Sequence, residues 1–255
     1  MKLPEPLLSA VQRYFDSHHP YWHLARIREA EMETAEDKVA WDAARKMFPE
    51  LKFRDEPGAG AEFLTFHREM MREYKWLLNK YPTTVAYDPW PTIPHDVRDF
   101  IETNYSVPVG EGLNTISDLT LSGLLSDIGG FIEPSPAGNF SGGGGLHDAS
   151  HGAVSELEKT KKLPKKFSMG SPSTAHRNIV FYQLHGWIDE CYAAWQRAHG
   201  ETPDLSPKEP SEMHGAHGMH GMVVLSNLDT LNNAISAVDR LLKFDRHWLK
   251  KPSSH

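Results

Sequence analysis

The sequence holds a single cysteine, Cys191, so no disulfide can form within the chain and an oxidising compartment is not required. It has no excess of positive charge: 27 Lys and Arg stand against 34 Asp and Glu, a net charge of −7. That argues against a nucleic-acid partner, which needs a basic face, and it helps to attract cations. No stretch approaches the ~20 apolar residues of a membrane span, so no membrane partner is expected. The opening MKLPEPLLSAVQRYF has no long apolar run before a cleavage site, unlike a typical secretory signal, and the expected location is cytoplasmic. Strand-like alternation is scarce, and there is no internal repeat of fixed period.

What is present is a 255-residue chain, enough for one large domain with a sizeable core. Apolar residues recur at intervals of three and four over 4–16, 19–47 (broken near Thr34), 62–80, 94–104, 115–129, 146–159, 175–199 and 222–248. PWPTIP, EPSPAGNFSGGGG, KKLPKKFSMGSPS and GETPDLSPKEPSEMHGAHGMHG read as loops from their Pro, Gly and Ser. With no clean break in composition, we expect one all-α domain over 1–255, with long loops and extra peripheral helices.

Histidine is the unusual residue, with 15 copies concentrated in a few short segments. His19 and His23 lie four apart on one predicted helix face, and so do His147 and His151. Each pair is followed by a lone histidine on a later helix, His67 in FLTFHREMMREYKWLL and His185 in FYQLHGWIDECYAAW. Taken singly, an HxxxH pair is more often surface polarity than a ligand pair, and a lone histidine amid aromatics is more often a satisfied core residue. Two pairs, each with a matching third histidine, are seldom met by chance. An i, i+4 pair can bind one metal from one helix face, and an imidazole from a facing helix closes a three-nitrogen site with positions left open. All-nitrogen ligation suits copper or zinc better than magnesium, calcium or manganese. Two such half-sites on four helices make a four-helix bundle around a binuclear centre.

Four segments resemble the type-3 copper proteins, the family of tyrosinases, catechol oxidases, phenoloxidases and haemocyanins. HHPYWHL resembles the HHxxxHL run at the first copper in the arthropod haemocyanin–phenoloxidase branch. FLTFHREMMREY resembles the helix that follows it there, and also the FLPWHR run of tyrosinases. LHDASHGAV resembles the HNxxH run at the second copper, and FYQLHGWIDECYAAWQ the last motif, with its aromatic pair, His, Asp and Trp. The resemblance implies two copper ions, one held by His19, His23 and His67 and the other by His147, His151 and His185, with His18 non-ligating. It implies a type-3 copper oxidoreductase that oxidises phenolic, o-diphenolic or o-aminophenolic substrates with dioxygen. Its partners would be dioxygen and a small aromatic molecule, and a homo-oligomer and a copper-delivery partner are both compatible with it. The alternatives are a haemocyanin-like O2-binding protein without turnover and a zinc-dependent hydrolase using the same histidines. The chain departs from the family in Asp148, where Asn is usual, and in Asn178-Ile179, where Asp-Pro is usual. It also has no cysteine near the first-copper ligands to form the Cys–His thioether of some members.

Around these ligands, Asp189 lies one turn after His185 and is expected to accept a hydrogen bond from a ligand imidazole or a neighbouring Arg, fixing the site geometry. Asp148 has two readings: a base or water holder reaching solvent at the metal pocket, or an exposed first-turn Asp favoured by the helix dipole. Gly152 either leaves room for a substrate ring above the second copper or serves helix packing. Phe140 is a candidate cover for the pocket. Met213, His214, His217, Met219, His220 and Met222 are soft and borderline donors suited to Cu(I), or else part of a polar loop.

Overall fold

Apolar residues at helical spacing produce helices throughout. The computed structural model describes residues 1–83, 87–133, 144–160, 163–211 and 228–241, with side chains in the last helix from 235 onward. In order the helices are α1 (Leu7–Ala25), α2 (Ala35–Met47), α3 (Ala59–Lys80), α4 (His95–Asn104), α5 (Val109–Ser122), α6 (Leu125–Ile132), α7 (Leu146–Thr160), α8 (Ile179–Ala198) and α9 (Leu228–Leu241). Short 3-10 turns at Glu29–Glu31, Lys165–Phe167 and Ala175–Arg177 join them. The chain is all-α: among the described residues there is no strand, only one isolated antiparallel bridge between Lys2 and Asn178.

Several boundaries differ from the periodicity. The segments 4–16 and 19–47 meet in one helix, α1, that runs through Pro20 to Ala25. A proline inside a helix costs about 3 kcal/mol, but Leu7, Leu8, Val11, Phe15, Trp22 and Leu24 are all buried along α1, and that burial outweighs it. The break near Thr34 is a reciprocal cap: the Thr34 hydroxyl accepts from the Asp37 N–H at 3.1 Å, and the Asp37 carboxylate accepts from the Thr34 N–H at 3.0 Å. Segment 115–129 is two helices, divided at Gly123, which is extended. Helix α8 begins at Ile179 because the Asn178 side chain caps it, accepting from the Val180 N–H at 3.1 Å. Asn is among the residues best suited to this capping role.

The main core draws on α1 and on α3 to α8; Phe15, Phe63, Met71, Ile101, Ile128, Leu146, Phe181 and Leu184 are fully buried in it. A smaller cluster joins α1 and α2 to α9 through Leu24, Ala40, Ala44 and Val238. The closest helix crossing is α3 with α6. A Cβ on Gly129 would lie 1.9 Å from the Gly60 carbonyl oxygen, so neither position has room for a side chain. This crossing sets where α6 ends, and hence where Glu133 enters the core.

Candidate metal centre

Four helices bring six histidines together: His19 and His23 from α1, His67 from α3, His147 and His151 from α7, and His185 from α8. All six are 0–2% exposed. Their donor nitrogens form two close groups, His19/His23/His67 and His67/His147/His185, each with its ligand atoms within 4.8 Å of one another. His67 belongs to both. His151 stands outside these groups but beside the second, its ring centroid 4.6 Å from His147 and 5.4 Å from His185.

Hydrogen bonds at the outer nitrogens fix the tautomers. A backbone carbonyl can only accept, so a ring nitrogen bonded to one carries the proton. His19 Nδ1–H donates to Pro172 O at 2.8 Å, His67 to Phe63 O at 2.9 Å, His151 to Met169 O at 2.8 Å and His185 to Phe181 O at 2.8 Å. In the neutral ring the Nε2 of each is then a bare lone pair. His147 donates from Nδ1 to Asp148 Oδ1 at 2.7 Å, and His23 Nδ1 faces Glu133 Oε1 at 3.7 Å.

The consequence is sharpest between α7 and α8. His147 Nε2 lies 3.2 Å from His185 Nε2, with the proton of each ring on the opposite nitrogen. Two lone pairs at that separation repel unless a cation lies between them. His23 Nε2 and His19 Nε2 are 3.1 Å apart, and His67 Nε2 is buried without a hydrogen-bond partner among the described residues. The donor set therefore fits metal ions that favour imidazole, copper and zinc among them.

Burial is the main reason that the pKa values of His19, His23, His67, His151 and His185 lie well below the ordinary value near 6.5; neighbouring imidazoles add to it. These rings are neutral at physiological pH, the form in which imidazole binds metal.

Two buried carboxylates back the cluster, each held by an arginine. Glu133 pairs with Arg26 at 2.5 Å, and Arg26 also donates to Ala59 O at 2.9 Å and lies over the Trp22 ring. Asp148 pairs with Arg54 at 3.4 Å while accepting from His147. Burial pushes the Asp148 pKa up, but the His147 hydrogen bond and the Arg54 charge outweigh it and hold it at about 2. Asp148 is 6% exposed, so it is not an exposed first-turn residue; its carboxylate accepts from the His147 imidazole. Asp189 accepts from Arg68 through both its carboxylate and its backbone carbonyl, tying α8 to the residue after His67. Burial raises the Asp189 pKa, and Arg68 pulls against that. The His185 proton goes to Phe181 O instead, so of the two expected partners for Asp189 the arginine is the one found.

Gly152 serves packing: a Cβ there would lie 2.9 Å from the Tyr105 hydroxyl. His18 points away from both groups, between Phe48 and Phe66. Phe140 and residues 213–222 lie outside the described residues. Sequence reasoning missed Arg26, Arg54, Glu133 and His176. Arg26 follows His23 by three residues on the same helical path, a spacing that could have revealed it. His176 is fully buried, its ring 5.6 Å from His19 and its Nε2 2.8 Å from Asp16 Oδ1. It belongs to no i, i+4 pair, so spacing gave no signal.

No protein-family model matches the chain, and no curated protein sequence matches it significantly.

Proposed function

We propose that this chain is a binuclear copper protein of the type-3 kind that oxidises phenolic, o-diphenolic or o-aminophenolic substrates with dioxygen, built as a four-helix bundle of α1, α3, α7 and α8. The observation that supports it best is the convergence of six buried imidazoles, five of which hydrogen-bond outward from Nδ1, with the Nε2 atoms of His19 and His23 and of His147 and His185 facing each other. His19, His23 and His67 would hold one ion, and His147, His151 and His185 the other. Copper, when bound, supplies the dioxygen chemistry and accepts electrons from the substrate.

The remaining roles follow from the protein. Glu133 with Arg26, and Asp148 with Arg54, fix the orientation of His23 and His147. A carboxylate with a pKa near 2 is a poor proton acceptor at neutral pH, so Asp148 acts by holding His147 rather than by taking a phenolic proton. The aromatic shell of Trp22, Phe63 and Phe181 keeps the cluster dry, which limits proton leakage. Among the described residues no helix is long and apolar enough to cross a membrane. We place the protein in the cytoplasm, with dioxygen and a small aromatic molecule as its partners.

The near-complete burial of all six histidines favours a second reading, reversible dioxygen binding without turnover. One experiment addresses both. Copper-loaded, reduced protein is assayed for metal, and its near-ultraviolet and visible spectrum is taken before and after oxygen is added. Two coppers per chain and an intense new charge-transfer band are expected, with catechol turnover separating oxidase from carrier. A single metal, or zinc alone with no colour, would overturn the binuclear copper reading.

A further inference from the structure

Helix α9 reaches the histidine cluster through a short turn. His19 Nδ1–H donates to the carbonyl of Pro172 at 2.8 Å. Pro172 stands between Ser171 and Ser173, which are 8% and 1% exposed. Both hydroxyls donate to one oxygen, Oδ1 of Asp239 on α9, that of Ser173 at 2.5 Å. The two hydroxyls are also 2.8 Å apart, and the Ser173 N–H donates to Ser171 Oγ at 3.2 Å.

The Asp239 carboxylate thus closes the turn around Pro172. A proline ring fixes φ, so holding the side chains on both sides of it leaves the carbonyl little freedom to swing away from His19. Helix α9 is itself anchored: Val238 is fully buried in the cluster shared with α1 and α2, and Arg240 pairs with the buried Asp37 carboxylate of α2. The other ligand-facing carbonyl of this segment is held differently. Met169 O accepts from His151 at 2.8 Å, and the neighbouring Ser168 hydroxyl bonds that of Ser155 on α7 at 2.9 Å. One acceptor is therefore steadied from α9 and the other from α7.

We propose that Asp239 is a positioning residue for His19. By fixing the Pro172 carbonyl from α9 it keeps the imidazole proton on Nδ1 and leaves Nε2 bare toward His23, so a docked α9 tightens metal binding at His19, His23 and His67. The metal step rests on the reading of His19 as a ligand; the positioning of the ring does not. Loss of the hydrogen-bond partner of a ligand imidazole costs about 10- to 100-fold in metal affinity. Asp239 acts one link further out, so the low end, about tenfold, is expected.

The test begins with metal-free protein isotopically labelled at the histidine nitrogens. Two-bond proton–nitrogen spectra report which nitrogen of each ring is protonated, with signals assigned by their loss in His19→Gln and His151→Gln. The wild type should show both rings protonated at Nδ1. In Asp239→Ala the His19 signals should move toward a mixture of the two tautomers, while those of His151 stay. Asp239→Asn, which keeps an acceptor oxygen, should restore the wild-type pattern. Calorimetric titration with zinc(II) should then show one ion bound about tenfold more weakly in Asp239→Ala and the other unchanged, with wild-type affinity in Asp239→Asn. His19 unmoved in Asp239→Ala, His19 and His151 moving together, or zinc affinity equal in Asp239→Ala and wild type would each overturn the inference. A wild type that binds no zinc would overturn the reading of His19 as a ligand, and the metal step with it, whereas the tautomer shift alone decides the positioning step.

Discussion

Replacing Asp148 by Asn isolates one charge in the support of the histidine cluster. The side chain keeps its shape and an oxygen that can still accept from His147 Nδ1. What it loses is the charge that faces His147 and Arg54. The folded-state pKa is about 2 against 3.8 for an unperturbed Asp. Each unit is worth about 1.4 kcal/mol, so the ionised carboxylate contributes about 2 kcal/mol to folding. The sign follows from the direction of the shift. The contribution is complete above the unfolded value of 3.8 and is lost as pH falls from there toward about 2. For a chain of this size, that is a fall of roughly 4–8 °C in Tm for the variant. Urea unfolding of metal-free wild type and Asp148→Asn should show a constant gap of about 2 kcal/mol between about pH 8 and 5, narrowing at more acid pH. A gap absent near neutrality, or one that widens in acid, would refute the argument that Asp148 is an ionised partner of His147 and Arg54.

The metal-free protein should also lose stability as pH falls below about 6.5. Five histidines have folded pKa values below the unfolded one, so the unfolded state binds more protons there. Urea midpoints measured across that range check this, and a flat profile would mean that the imidazoles are not buried as neutral rings. If the proposed two-copper centre is right, His67→Ala, which removes the imidazole common to both close groups, should reduce bound copper from two ions to at most one per chain, whereas His151→Ala should reduce it less. Elemental analysis of dialysed protein distinguishes them. Gly129→Ala places a methyl group against the Gly60 backbone and should cost at least about 2 kcal/mol in urea unfolding, since neither helix can yield locally. An unchanged midpoint would mean that α3 and α6 do not cross in contact.

The sequence by itself determined the helical class, because apolar residues at intervals of three and four admit little else, and it singled out His19, His23, His147 and His151 by spacing, and His67 and His185 by their helical context and a family resemblance. Spacing along one helix is a local property and survives in the sequence. Tertiary structure decided what meets across helices. It carried α1 through Pro20, because burial of a whole face outweighs one missing hydrogen bond. It set His67 between the two groups rather than within one. It brought Glu133, 110 residues away along the chain, to His23, and the carbonyls of Met169 and Pro172 to His151 and His19. Contacts of that kind depend on how helix faces pack and on where connecting segments pass, and no periodicity in the chain encodes either.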